Sequence, residues 1–262
     1  MNNFEYWQQR QIKMINSIDK FTDKQIRQQL LVEYKRSLND MYSVTDELFR
    51  KYSTNGELSL SELYKYNRYK KLQDEIKNIM YDLGKTENNF TDKHLLETYN
   101  NTIDFNISEL NKQGININVK SFAIPVKQVE KSLSYPWSGA DYSSRIWDNK
   151  NKLVKNLQQT ITQGIIQGKS NTNMAKDLKG VMDKGAYECR RLVRTETMHI
   201  VNSATHDSYS KVGIEKVQIL IENDERTCDE CMEYDGVIFN IDEAPTLPIH
   251  ANCRCCLIAV IE

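Results

Sequence analysis

The first 113 residues place apolar side chains at the spacing of amphipathic helices, and they contain no proline. The clearest stripe, with steps of three and four residues, runs through Ile26, Leu30, Tyr34, Leu38, Met41, Thr45, Leu48 and Tyr52. A second stripe of the same period runs through Leu63, Tyr69, Leu72, Ile76, Ile79 and Leu83. Because such stripes bury one face of each helix, the pattern predicts long helices that pack against one another.

Three predicted helix starts carry a hydroxyl residue with a polar residue three positions later. The pairs are Thr22 with Gln25, Ser59 with Glu62, and Thr91 with His94. The first two pairs have the arrangement of a capping box, and at the third only the Thr91 half is clear. Glycine commonly follows the end of a helix, so Gly84 is expected just beyond a helix end.

Prolines and glycines become frequent between residues 114 and 140, which predicts a boundary or elbow there. Helical periodicity then resumes over residues 142–168, 172–182 and 186–211. After Gly213 the apolar period changes to two, the period of strands. The predicted strands are residues 216–221, residues 236–239 as part of a hairpin, and residues 257–261.

Composition limits the classes of protein that this chain can represent. Charged residues make up 27% of the chain and the net charge is −1, as in an ordinary soluble protein without a general attraction to nucleic acid. There is no apolar run of membrane-spanning length and no signal-peptide core, so we expect a protein that stays in the compartment where it is made. Residues 142–222 carry 13 Lys and Arg against eight Asp and Glu, whereas residues 223–262 carry two against nine.

Five of the six cysteines fall in a 29-residue stretch near the C-terminus: Cys228, Cys231, Cys253, Cys255 and Cys256. In a reducing compartment such a cluster indicates metal binding before disulfides. Two residues separate the first pair of cysteines, and after eighteen intervening residues His250 begins a second group of donors. Zinc prefers four thiolate or imidazole ligands in a tetrahedron, which two such groups can supply.

The predicted zinc ligands are Cys228, Cys231, His250 and Cys253. Cys255 is the alternative fourth ligand, since it lies two positions after Cys253 and only one of the two need point inward. Cys256 is expected to begin the last strand as an apolar residue. Four or five donors would close the coordination shell, so the zinc is predicted to be structural rather than catalytic.

The predicted fold class is therefore mainly α, with long N-terminal helices, a central helical body and a small C-terminal α+β subdomain that binds zinc and contains a short antiparallel sheet. The expected segments are an elongated helical region over residues 1–115, a helical body over residues 116–213, and a β-rich zinc-binding segment over residues 214–262.

Other chemical motifs are weak. Glu196 and His199 could share a helix face as metal ligands, but a di-iron bundle needs a second such pair, and the sequence lacks one. Arg194 and Glu196 are expected to make separate polar contacts that fix their helix against the strands, and Cys189 is expected to fill the core. With no glycine-rich phosphate loop and no nucleophile elbow, no enzymatic activity is predicted.

Several motifs in the second half of the chain occur in a fixed order. They are Pro136-Trp137-Ser138-Gly139, Tyr142-Ser143 with Arg145-Ile146-Trp147, Arg194-Thr195-Glu196, Cys228 and Cys231 with Asp235-Gly236, and Pro248, His250 and Cys253-Arg254-Cys255. Together they resemble the head-morphogenesis or minor head protein family of tailed bacteriophages, whose C-terminal region is similar to that of the phage Mu F protein. The resemblance covers about residues 135 to 262.

The resemblance implies a structural protein of the phage head interior that is associated with the portal and assists head assembly and the packaging or ejection of DNA. Its implied partners are the portal protein, the major capsid or scaffolding protein, and packaged DNA contacted non-specifically. It would be present in the host cytoplasm during assembly and would not associate with a membrane.

Two alternatives stay open. One is an enzyme acting on NAD or nucleic acid, since some relatives of this family look fused to ADP-ribosyltransferase or nuclease-like modules. The other is a DNA-binding protein with a structural zinc, which the acidic C-terminal segment disfavours because phosphate contacts dominate such binding.

Overall fold

The computed structural model describes residues 3–118, 122–222, 225 and 227–261. Most of these residues are helical. The helices are α1 (Asn3–Gln25), α2 (Leu31–Tyr52), α3 (Leu60–Tyr64), α4 (Arg68–Lys112), α5 (Val126–Ser134), α6 (Tyr142–Ile166), α7 (Asn171–Lys211) and α8 (Asp229–Met232). The strands are β1 (Lys216–Leu220), β2 (Ile238–Asn240) and β3 (Cys256–Ala259). No helix among the described residues is long and apolar enough to cross a membrane.

The three strands form one antiparallel sheet in the order β2-β1-β3. Val217 in the central strand is paired with Phe239 on one side and Ala259 on the other. The predicted mainly helical fold with a short antiparallel sheet near its C-terminus is therefore confirmed.

The chain folds as two compact units, each assembled from separate stretches of sequence. Unit 1 contains residues 1–24, 91–142 and 191–262, and unit 2 contains residues 25–90 and 143–190. The division into segments 1–115, 116–213 and 214–262 stays a prediction. We use the term C-terminal lobe for residues 214–261, which lie in unit 1.

The core of unit 1 contains the buried side chains on which the C-terminal lobe is built. Val217 and Ile219 of β1, Ile258 of β3 and Tyr209 of α7 are fully buried in one cluster with Trp7 of α1. This core fixes the sheet, and the loops that leave the sheet carry the cysteines and histidine of interest.

One of the three predicted helix starts, at Ser59, is confirmed. The Ser59 side chain accepts a hydrogen bond from the Glu62 amide at 3.3 Å and begins α3. Thr22 and Thr91 are wrong as helix starts, because both lie inside helices and are buried. Thr22 Oγ1 instead lies 3.2 Å from His94 Nε2, so its hydroxyl serves a buried contact between α1 and α4.

The predicted helix ends at Gly84 and between residues 182 and 186 are also wrong, because α4 and α7 continue through them. Both glycines make room for a neighbouring side chain in unit 2. A Cβ on Gly84 would lie 2.7 Å from Trp147, and one on Gly185 would lie 2.8 Å from Leu153. Contacts of this distance force a shift, so here glycine permits close packing and does not end a helix.

Candidate metal centre

Two tight turns of the C-terminal lobe present the predicted ligands. Cys228 precedes α8 and Cys231 lies within it, and this turn is closed by the Met232 amide donating to the Cys228 carbonyl at 3.1 Å. The second turn is closed by the Cys253 amide donating to the His250 carbonyl at 3.1 Å. Each turn therefore places two donors three residues apart, the spacing that the sequence suggested.

The donor atoms of the two turns converge. His250 Nε2 lies 3.1 Å from both Cys228 Sγ and Cys231 Sγ, and Cys231 Sγ lies 3.6 Å from Cys253 Sγ. Ligand bonds of about 2.3 Å for sulfur and 2.0 Å for nitrogen put tetrahedral zinc donors about 3.5 to 3.8 Å apart. The separations are close to that spacing, and all the described cysteines are free thiols.

The donors form two overlapping groups that could each hold a metal ion. Cys228, Cys231 and His250 are one group, and Cys231, Cys253 and Cys255 are the other. Within each group the ligand atoms lie within 4.8 Å of one another. Cys231 belongs to both groups and is buried, so it is the centre of the arrangement.

Hydrogen bonds outside the cluster orient its donors. His250 Nδ1 donates to the Ala251 carbonyl oxygen at 2.9 Å, which leaves Nε2 as the nitrogen that faces the thiols. The Cys255 amide donates to Cys253 Sγ at 3.5 Å, as backbone amides do toward metal-bound thiolates.

The environment separates the thiols into those that ionise readily and those that do not. A hydrogen bond from the Cys255 side chain, with backbone amides, lowers the pKa of Cys253 to about 5, and the Cys231 amide lowers the pKa of Cys228. Burial raises the pKa of Cys231 to about 12. Burial opposes the charged form of His250, but the Ala251 carbonyl and the neighbouring thiolates outweigh it, so the pKa of His250 is raised.

Helix α7 supports the second turn and the strand that follows it. Thr195 Oγ1 accepts a hydrogen bond from the Asn252 amide at 3.1 Å. The Asn202 side chain donates to the Cys255 carbonyl at 3.0 Å and accepts from the Leu257 amide at 3.1 Å. Because this side chain both donates to and accepts from the backbone, it makes the hydrogen bonds that a neighbouring strand would make at the outer edge of β3.

His199 and Glu196, on the same helix, contact other groups of the protein. His199 Nδ1 lies 3.1 Å from the Leu247 carbonyl, and its ring stacks on Trp137 with centroids 5.1 Å apart. Glu196 accepts a hydrogen bond from Trp137 Nε1 at 3.1 Å. Among the described residues, neither side chain belongs to a group able to hold a metal.

Arg194 makes the separate polar contact that the sequence predicted, although with a different partner. Its guanidinium donates to Asp19 and Asp23 of α1 at 2.9 and 3.2 Å, so it fixes α7 against α1 rather than against the strands. Cys256 begins β3 and Cys189 is buried in unit 2, as expected for two apolar cysteines.

The supporting role of Thr195, His199 and Asn202 was not predicted. The three residues follow one another at steps of four and three, which places them on one face of α7. All three are buried. A polar stripe on a face of a long helix is the signal that could have indicated such a role.

Comparisons with known proteins show what this chain is similar to. Residues 155–258 match the family described as Phage Mu protein F like protein. Along 94% of its length the chain is 27% identical to minor head protein GP7 of Bacillus phage SPP1, and the match covers 86% of that protein.

A second relative carries a different description. The chain is 23% identical over its whole length to NAD(+)–arginine ADP-ribosyltransferase EFV of Enterococcus faecalis, but it spans only 56% of that protein. No solved structure matches the chain significantly.

Proposed function

We propose that this chain is a minor head protein of the kind found in tailed bacteriophages, a structural protein of the phage head whose C-terminal lobe is held in shape by one zinc ion. The observation that carries the zinc proposal is the convergence of thiol and imidazole donors from two turns, with His250 Nε2 3.1 Å from two sulfur atoms. The donor set is that of structural zinc sites.

The proposed ligands are Cys228, Cys231, His250 and Cys253. Cys253 is preferred to Cys255 because its sulfur lies 3.6 Å from Cys231 Sγ and receives the Cys255 amide. A bound zinc ion would cross-link the two turns and supply much of the free energy that orders them. The protein's own part is to hold the donors in place through the hydrogen bond that Thr195 accepts from the Asn252 amide and the one that Asn202 donates to the Cys255 carbonyl.

The proposed role of this site is mechanical. Four protein donors would fill a tetrahedral shell and leave no position at which water or a substrate could be activated. The site therefore favours a protein that presents a shaped surface over one that catalyses a reaction.

The proposed setting is the head interior, in contact with the portal protein and with the major capsid or scaffolding protein, after assembly in the host cytoplasm. There the chain would assist head assembly and the packaging or ejection of DNA. The similarity to a minor head protein along 94% of the chain supports this proposal.

A matched pair of variants tests the ligand set. Cys253→Ser should reduce bound zinc from about one equivalent to near zero after dialysis, whereas Cys255→Ser should keep it, as measured by elemental analysis of purified protein. The reverse pattern would make Cys255 the fourth ligand. Less than about half an equivalent in the unsubstituted protein would end the zinc proposal.

Co-purification tests the proposed location in the phage head and the proposed contact with the portal protein. The chain, expressed with the portal protein of the same phage, should be retained by a tagged portal protein and should appear in isolated heads at a low copy number. Heads that contain no copy of the chain would contradict the proposed location, whatever the metal content.

The second candidate function is transfer of ADP-ribose to arginine, which the match to the Enterococcus faecalis protein favours. The same residues also match a head protein over nearly their whole length, so the shared region is not particular to transferases. Incubation with labelled NAD and an arginine-containing acceptor should give no labelled product. Labelling that a point substitution abolishes would replace our proposal.

A further inference from the structure

The junction between α3 and α4 in unit 2 combines aromatic and basic side chains. The eight residues of this junction are Tyr64, Lys65, Tyr66, Asn67, Arg68, Tyr69, Lys70 and Lys71. They include three tyrosines and four basic residues but no acidic residue. Interleaved aromatic and basic residues are typical of surfaces that bind single-stranded nucleic acid.

Two of the tyrosines lie in solvent. Tyr66 is 81% exposed and Tyr64 is 64% exposed, although tyrosine usually buries most of its ring. Lys70 and Lys71, in the first turn of α4, are exposed as well. The apolar face of a ring and a positive charge are thus available at the same place.

The backbone conformation at this junction is unfavourable for Tyr66. Tyr66 has φ +56° and ψ +28°, and Asn67 has φ +57°. Asparagine tolerates the left-handed region well, whereas a bulky aromatic residue does so only at a cost in free energy. A tyrosine kept in this conformation, with its ring exposed, indicates a role for the ring itself.

A stack of side chains supports the exposed ring. The Arg68 guanidinium lies 3.8 Å from the ring centre of Tyr52 and 5.1 Å from that of Tyr66. Glu62 pairs with Lys65 and Arg68, so the carboxylate partly neutralises these two positive charges. The basic residues left for an external anion are Lys70 and Lys71.

We infer that this junction binds single-stranded nucleic acid. The rings of Tyr66 and Tyr64 stack on unpaired bases, and Lys70 and Lys71 contact the phosphates between them. Base pairs in a duplex hide the faces that such rings need, so single strands bind more tightly than duplex DNA. The inference concerns unit 2 alone and does not depend on the metal centre or on the head setting.

The test uses the full-length protein and a fluorescein-labelled oligothymidine of about 20 nucleotides, with binding followed by anisotropy. Tyr66→Ala should weaken binding by about 5- to 100-fold, the range found when one stacking ring is removed. Tyr187→Ala is the matched control, since Tyr187 is 60% exposed on α7, and it should bind like the unsubstituted protein. Equal binding by Tyr66→Ala and the unsubstituted protein would overturn the inference.

Salt dependence tests the lysines. Lys70→Gln combined with Lys71→Gln should lower the slope of log Kd against log salt by about 1.4, or about 0.7 for each phosphate contact. Lys77→Gln is the control farther along α4, at a side chain that is 59% exposed, and it should leave the slope unchanged. A slope that both variants lower equally would indicate a diffuse charge effect and contradict the assigned site.

A third variant separates binding from structure. Tyr66→Asn relieves the backbone and should raise the melting temperature by about 2 to 4 °C while weakening oligonucleotide binding as much as Tyr66→Ala. A variant that is more stable and binds equally well would contradict the role of the ring. So would tighter binding of the same-sequence duplex, or of anionic phospholipid vesicles, that Tyr66→Ala leaves unchanged.

Discussion

The C-terminal lobe and unit 2 both bury polar side chains, but they satisfy them in different ways. In unit 2, Lys150 Nζ lies 2.6 Å from Glu87 Oε2, and Tyr34 donates to the same oxygen at 2.9 Å. In the lobe, the polar group consists of buried and half-buried thiols and one half-buried imidazole from two turns. In unit 2 a buried positive charge and a buried negative charge on helices neutralise each other. In the lobe several metal-ligand side chains lie together on turns, an arrangement that suits binding of one shared cation.

This difference indicates what determines the order of each region. The helices of unit 2 have regular backbone hydrogen bonds and an apolar core, so their polar cluster selects one packing among several. The turns of the lobe have few such supports, so their order is expected to depend on the metal and on α7.

The largest expected effect is loss of the central ligand. Cys231→Ser should abolish zinc binding and remove a contribution of about 10 kcal/mol to the order of the two turns. Hydrogen exchange should then become fast in residues 227–232 and 247–255 and stay slow in unit 2. Cys189→Ala, a change of a buried thiol in unit 2, should leave the zinc content at one equivalent. Slow exchange in both turns of Cys231→Ser would contradict the proposed dependence on metal.

The next effect belongs to unit 2. Lys150→Met leaves the buried Glu87 carboxylate without its cation, which should cost about 3 to 5 kcal/mol in the free energy of unfolding by urea. The triple variant that adds Glu87→Leu and Tyr34→Phe should recover most of that loss, because it also removes the buried hydroxyl that donates to Glu87 and leaves only apolar side chains, which need no partner. A single variant that costs less than about 1 kcal/mol would show that the pair is not buried in solution.

Much of this molecule follows from local sequence, and the remainder does not. The helical fold, the short sheet and the two groups of donors are visible in spacing alone, because a period of 3.6 or 2 and a Cys-x-x-Cys turn are local properties. The Ser59 cap was predictable for the same reason.

The errors arise where a distant residue decides the outcome. The local sequence at Gly84 is typical of a helix end, but in the structure Trp147, 63 positions later, packs against this glycine. Thr22 looks like a cap until His94 is placed beside it. The long-range contacts of Thr195 and Asn202 could not be assigned from spacing, since their partners in the second turn are more than 50 residues away.

Acid should distinguish the two units. All four histidines lie in unit 1, and burial lowers the pKa of both His94 and His199 to about 4. Their unfolded pKa is about 6.5, so the unfolded state binds more protons between those values. The stability that the neutral rings provide is therefore present above pH 6.5 and is lost as the pH falls toward 4, by up to about 3 kcal/mol for each ring.

Region-resolved hydrogen exchange at pH 6.5 and pH 4.5, corrected for intrinsic rates, measures this effect. Unit 1 should lose protection at the lower pH before unit 2 does. His94→Gln should reduce the loss without changing bound zinc, because His94 lies apart from the donors and touches Thr22 and Thr197. An unchanged pH dependence in this variant would exclude His94 as a source of the acid sensitivity.

The smallest effect tests whether α7 orients the metal turn. Thr195→Val keeps the shape of the side chain but removes the oxygen that accepts the Asn252 amide. We expect a loss of about 1 kcal/mol and a zinc affinity about 10-fold weaker in competition with a chromogenic chelator. Thr86→Val is the matched control, because Thr86 donates to the carbonyl four residues earlier in its helix, as Thr195 does. Equal zinc affinity in the two variants would mean that the donors hold their positions without the helix, and the lobe would then depend on its metal alone.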